Sequence, residues 1–296
     1  MQIDTALIER LVDLSRDKSY DAYSRFTWPE TLQLDGLWCN EDLLTTYGTP
    51  FHDELTDEQR HALSKWEAIN FYSLNVHGIK TVLEFVCQCI YQPRYAGMSE
   101  YLHFFMAEEN AHMWFFARFC QKYGGKIYVT PNISVGSDTD ELERDLYMFA
   151  STLIFEEFVD YYNHRVGKND AVPEIVREIN YQHHVDESRH VSFGREVVKD
   201  LFEEIRQKGA DDETLARISR TFKGLIGHFI GLMYCRDAYE DADVFKPLGF
   251  DNAAALRNAL RRHPNRSERH QIWFRRTAIF FEREGIIDDV DFLAAA

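Results

Sequence analysis

An all-α helical bundle is the fold this sequence predicts, and three features carry that prediction. Glycine and proline are scarce, 15 and 7 in 296 residues, too few for a sheet with many turns. Four long stretches between residues 57 and 207 have helix-forming composition with start and stop signals at their ends. Hydrophobic residues make up 45% and aromatics 14%, so a charged fraction of 28% still leaves enough for a sizeable core.

Each element can be justified in order. The opening MQIDTALIERLVDLSRD reads as an amphipathic helix, not as a secretory leader. Residues 19–55 carry aromatics, turn formers, Pro29 and Pro50, with little helical periodicity, and are expected to form an irregular arm over the helical body. Thr56 and Gln59 make a capping box for a helix over 57–91, which Pro93 stops. Ser99 can cap the next helix, reaching Tyr123 before Gly124-Gly125, and the two form one hairpin. A third helix is expected over 141–164, closed by Gly167, and a fourth from the first-turn Pro173 to 207, making a second hairpin. Helices over 212–237 and 271–285 flank a shorter one at 252–262, and Gly224, Gly227 and Gly231 are spaced for close approach of two helices. The whole is expected to be a single domain, with the bundle at 57–207, the arm at 19–55 and flanking helices at 212–285.

Composition also excludes functions. Lys and Arg number 33 against 49 Asp and Glu, a net charge of −16, which disfavours a phosphate-backbone partner because that needs a basic stripe. The longest apolar stretch, 222–234, contains Lys223 and His228 and falls short of the roughly 20 apolar residues of a membrane span. Five cysteines, an odd number without a C-x-x-C pair, read as reduced thiols and a cytoplasmic setting. Arg257, Arg261, Arg262, Arg266, Arg269, Arg275 and Arg276 read as a solvated face or internal ion pairs.

The chemistry lies in HHVDESRHVSFG, residues 183–194. At about 100° per residue, His183, Glu187 and His190 project from one narrow stripe, with His184 the poorer candidate. Glu109 and His112 stand at i and i+3 on the helix of the first hairpin. Two Glu-x-x-His motifs in consecutive hairpins match the two-metal site of ferritin-like bundles, whose other two helices each supply one glutamate. On the third helix that glutamate is Glu156 or Glu157, both in apolar surroundings where an unpaired carboxylate is costly. On the first it is Glu84, in TVLEFVCQC: with the connecting loop centred near residue 96, Glu84 is level with Glu109, whereas Glu67 lies about 25 Å farther along at 1.5 Å per residue. Around these, Asp186 is expected to orient His112, Arg189 to tie Asp186 down, and Glu108 to act likewise on His190.

At these residues the sequence resembles the ferritin-like di-iron oxygenases typified by p-aminobenzoate N-oxygenase. The shared marks are Glu-Glu-x-x-His at Glu108–His112, the glutamate at Glu156, and His-x-x-x-Glu-x-x-His at His183–His190, whose first histidine distinguishes the group. The resemblance, over about 57–200, implies the ligands Glu84, Glu109, His112, Glu156, His183, Glu187 and His190. It further implies two Fe ions with O2 as co-substrate, a peroxo-diferric intermediate, and oxidation of an aryl or alkyl amine nitrogen through hydroxylamine towards nitroso or nitro in secondary metabolism. A carbon-directed hydroxylase or desaturase, or a non-catalytic metal-storage bundle, would use the same ligand face. Expected partners are a small-molecule amine, free or carrier-tethered, an external electron donor, and a second copy in a homodimer.

Overall fold

The protein is described by a computed structural model covering residues 4–32, 35–130 and 139–294. The chain runs α1 (Thr5–Lys18), α2 (Ala22–Arg25), α3 (Pro50–Glu54), α4 (Asp57–Cys89), α5 (Ser99–Phe119), α6 (Glu141–Val166), α7 (Glu174–Gln207), α8 (Asp212–Met233), α9 (Arg236–Asp241), α10 (Ala253–Arg261) and α11 (Arg266–Arg283). No strand occurs among the described residues.

Two helices of the central hairpins begin at side-chain caps. Thr56 and Gln59 exchange the two hydrogen bonds of a capping box at the start of α4, and Asp140 accepts from the Glu143 amide to start α6. Ser99 does not cap α5. It lies inside the helix, where its hydroxyl accepts from the Tyr91 amide at 3.0 Å and donates to the Tyr95 carbonyl at 3.1 Å, stitching the connecting turn to the helix. α4 pairs with α5 and α6 with α7, and the hairpins pack through α4–α6 and α5–α7 contacts into a four-helix bundle. At Gly167, the end of α6, an added Cβ would sit 2.8 Å from the Tyr181 backbone, so glycine sets the closest approach of α6 to α7.

Other helices wrap this bundle. α1 lies on α5 and α7, while α8 and α11 lie on α6. The arm is mostly irregular, but α2 and α3 interrupt it. The helix expected over 212–237 ends at Met233, because Arg257 bonds the Tyr234 and Gly231 carbonyls at 2.7 and 3.2 Å and satisfies that terminus before α9 starts. α11 starts at Arg266, five residues before the expected point. That arginine is fully buried, with its guanidinium on the Leu44 and Tyr47 carbonyls and the Tyr234 hydroxyl, pinning arm to C-terminal helices. The glycines of α8 do not form a helix seam: a Cβ at Gly224 or Gly227 would meet nothing within 4 Å among the described residues, and one at Gly231 would meet the Arg261 guanidinium. No helix among the described residues is long and apolar enough to cross a membrane.

Candidate metal centre

Inside the bundle a set of ionisable side chains is buried that an apolar core would not tolerate unpaired. Glu109 and His112 enter from α5, Glu156 from α6, and His183, Glu187 and His190 from α7, each no more than 6% exposed. Glu109, His112, Glu187 and His190 offer one ligand atom each, all within 4.8 Å of one another. His190 Nδ1 is 2.8 Å from Glu109 Oε1 and 3.5 Å from Glu187 Oε2, and His112 Nδ1 is 3.3 Å from Glu109 Oε1. His183 Nε2 lies 2.7 Å from Glu187 Oε1. Glu156 stands between two narrow cavities, one shared with Asn75, Glu109, His183 and Glu187, the other with His190.

A surrounding network fixes which nitrogen each imidazole turns inward. His112 Nε2 donates to Asp186 Oδ2 at 3.1 Å, leaving Nδ1 to the centre. His190 Nε2 donates to Glu108 Oε2 at 2.8 Å, again leaving Nδ1 inward. Arg189 joins the two carboxylates, with Nη2 at 2.8 Å from Asp186 Oδ1 and 2.6 Å from Glu108 Oε1, and its Nε on Ser15 Oγ of α1. Asp186 Oδ2 also accepts from Tyr20 of the arm and from Gln182, both at 3.1 Å. His183 differs, since its outer Nδ1 meets the Asn163 amide. Asn163 Nδ2 faces that ring nitrogen and Asn163 Oδ1 has no hydrogen bond; with the amide turned over, Oδ1 accepts from Nδ1–H and leaves the Nε2 lone pair facing the cavity.

The buried charges act strongly on one another. Burial and the charge of Glu187 push Glu156 well above the usual carboxylate range. Burial would raise Glu187 too, but the adjoining His183 and His190 rings outweigh it and hold its pKa well down. Burial likewise opposes ionisation of His112, yet its hydrogen bonds to Asp186 and Glu109 raise it to about 9. Glu156 Oε1, Glu187 Oε2, His183 Nε2, His190 Nδ1 and Asn75 Oδ1 are buried without an aligned hydrogen bond. Oxygen and imidazole donors left open along these two cavities fit first-row metal ions, hard carboxylates favouring iron or manganese.

Glu84 is not part of this centre. The α4–α5 connection runs from Cys89 to Ser99, which centres it near residue 94 and makes Ile79 the residue level with Glu109. Glu84 lies about 140° around α4 from Ile79 at 100° per residue, and its side chain is exposed. The apolar run around it buries Val82, Phe85, Val86 and Cys89, leaving Glu84 on the outward edge. Toward the centre α4 turns Asn75, Ile79 and Val82. Glu67 is buried elsewhere, accepting from the Thr45 amide at 3.0 Å and from the Thr45 hydroxyl. Glu157 is taken by Arg195 and Thr277 at 2.6 and 2.8 Å, so Glu156 is the inward one of the pair. His184 bonds Asp160 and His164 and does not reach the cluster.

Beside the inner cavity runs an apolar cleft, partly open to solvent. Val82 and Phe155 belong to the walls of both, while Leu74, Met148, Phe229 and Leu232 line the cleft with Ser151, Thr152 and Thr81. A Cβ on Gly78 would lie 3.1 Å from the Phe155 ring, so the glycine leaves that ring its place. Of the aromatics near the motifs, Phe105 packs 4.4 Å from the His190 ring and Phe116 4.8 Å from His183, while Tyr161 lies under Arg165 instead.

No curated protein matches the chain. The family model described as P-aminobenzoate N-oxygenase AurF matches residues 2–285, taking in the arm and the C-terminal helices as well as the bundle. With nearly its whole length so matched and a buried Glu/His cluster at the bundle centre, the chain belongs to the p-aminobenzoate N-oxygenase AurF family.

Proposed function

We propose that this protein is an O2-dependent di-iron monooxygenase that oxidises the nitrogen of an aryl or alkyl amine, through hydroxylamine towards nitroso or nitro, with electrons from an external donor. The observation that carries the reading is that Glu156, Glu187, His183 and Asn75, each with an open buried donor atom, line one cavity whose walls Val82 and Phe155 share with an apolar cleft. Glu109, His112, Glu187 and His190 would hold one side of the metal pair, with Glu156 and His183 reaching the other. Iron bound there supplies the redox chemistry that activates O2.

The chain's own residues set the conditions. Asp186, Glu108 and Asn163 fix the ring orientations of His112, His190 and His183, and Arg189 balances the two outer carboxylates. Phe105, Phe116 and Phe155 keep bulk water from the centre, strengthening each electrostatic contact inside. Among the described residues the cleft offers hydroxyls, the His77 ring and apolar surface but no carboxylate, lysine or arginine, which suits an uncharged aryl or alkyl body carrying the amine.

Anaerobic loading of the purified chain with Fe(II), metal analysis, and oxygen-dependent turnover of arylamines against hydrocarbons of the same size form the test. About two irons per chain with amine oxidation supports the reading. Hydrocarbon hydroxylation alone replaces it with a carbon-directed enzyme, and absence of bound iron withdraws it.

A further inference from the structure

The ferritin-like plan takes one glutamate from each of two helices and a Glu-x-x-His pair from each of the others. α5, α6 and α7 follow that plan here, but α4 brings no carboxylate to the cavity: its inward residues are Asn75, Ile79 and Val82. We propose that the side-chain oxygen of Asn75 is the α4 metal ligand, a neutral carbonyl where the plan has a fourth carboxylate. The inference rests on the metal-centre reading above and specifies its composition.

Three observations converge on Asn75. The residue is fully buried, and its Oδ1 is among the buried atoms without a partner. Its Nδ2 donates to the Phe71 carbonyl one turn back at 2.8 Å, so the nitrogen is spent on the helix and the oxygen is left over. The cavity it lines is the one lined by Glu109, Glu156, His183 and Glu187. An amide carbonyl is a competent oxygen donor to a hard divalent ion.

The substitution changes the charge balance. Glu109, Glu156 and Glu187 leave a pair of divalent ions with a residual positive charge that a fourth carboxylate would cancel. The four-residue cluster is complete without Asn75, so the first ion binds there. The second ion, on the Asn75, Glu156 and His183 side, is held with one anion fewer and binds more weakly. Two unequal binding steps are therefore expected.

Anaerobic Co(II) titration of the full-length chain, followed by visible absorption and by metal analysis after gel filtration, tests this. Wild type should take up two ions in two resolved steps. Asn75→Leu should retain the first and weaken the second by about tenfold or more, and Asn75→Glu should tighten the second by a similar factor, each with native helical content by circular dichroism. Asn75→Leu and Asn75→Glu titrating like wild type would overturn the role of Asn75 while leaving a two-metal centre intact. Wild type taking up a single ion would overturn it as well, and wild type taking up none would remove the metal-centre reading itself.

Discussion

Arg189 and Glu108 form an ion pair of 2.6 Å that bridges α7 and α5 at the edge of the candidate metal centre. The same Arg189 nitrogen reaches Asp186 at 2.8 Å, so one guanidinium serves the carboxylates behind both His112 and His190. Replacing Arg189 with leucine leaves two acidic groups behind those rings without their cation. The expected result is a destabilisation of about 3–5 kcal/mol, as for other broken buried pairs, read by denaturant unfolding. In the folded fraction, Co(II) affinity should fall by about 10–100-fold; affinity equal to wild type would show that Arg189 has no hold on the ligands.

His183 and His184 are neighbours in sequence with opposite surroundings, one against Asn163 and Glu187, the other against Asp160 and His164. His183→Ala should keep the fold and lose most turnover together with the weaker-bound metal ion. His184→Ala should keep both. Metal analysis of the two variants side by side decides the matter, and equal losses would make the assignment of His183 wrong.

Glu84→Ala should be silent in metal content and lie within about 0.5 kcal/mol of wild type in stability, as befits an exposed side chain. Glu156→Ala should reduce the metal content. A Glu84 variant that loses metal would contradict the outward orientation of that face of α4.

Glu67 gives a pH-dependent prediction away from the centre. Burial raises its pKa from 4.5 to about 7, partly offset by hydrogen bonds from Thr45. A carboxyl whose folded pKa is raised binds more protons folded than unfolded, so stability falls as pH rises. The contribution is intact below about pH 4.5 and is lost as pH climbs through about 7, by roughly 3 kcal/mol at full ionisation. Glu67→Gln should lack this slope, so the stability difference between variant and wild type in urea unfolding should change between pH 5 and pH 8, and a constant difference would show that Glu67 does not titrate there. Glu67→Ala should leave metal binding unchanged.

Much of this arrangement was legible in the sequence because helices impose a period. Spacings of three and four residues put Glu109 beside His112, and His183, Glu187 and His190 on one stripe, and the structure holds them on those faces. The pairing of Asp186 with His112 and of Glu108 with His190 was legible for the same reason, since each acid directly precedes a motif glutamate. On α4, level along the helix does not fix which face a residue takes: Glu84 is surrounded by apolar residues in sequence yet sits about 140° around the helix from Ile79. Applying the 3.6-residue period to α4 would have exposed Asn75, Ile79 and Val82 as one inward stripe. Asn163 and Tyr20 were illegible. Asparagine on an apolar helix has many uses, and nothing local places the hydroxyl of an irregular arm against Asp186. The early end of α8 was hidden for a similar reason, because Arg257, which caps it, comes from 23 residues beyond Tyr234.

Tyr20 and Ser15 lie outside the four-helix bundle, yet their hydroxyls reach Asp186 and Arg189, the groups that hold the histidines in place. Docking of the N-terminal segment and occupancy of the centre are therefore two sides of one equilibrium. Whatever free energy the ion gains from a well-held His112 is returned to the segment as resistance to lifting off, and a protease cutting near residue 20 becomes a gauge of how much metal the interior holds.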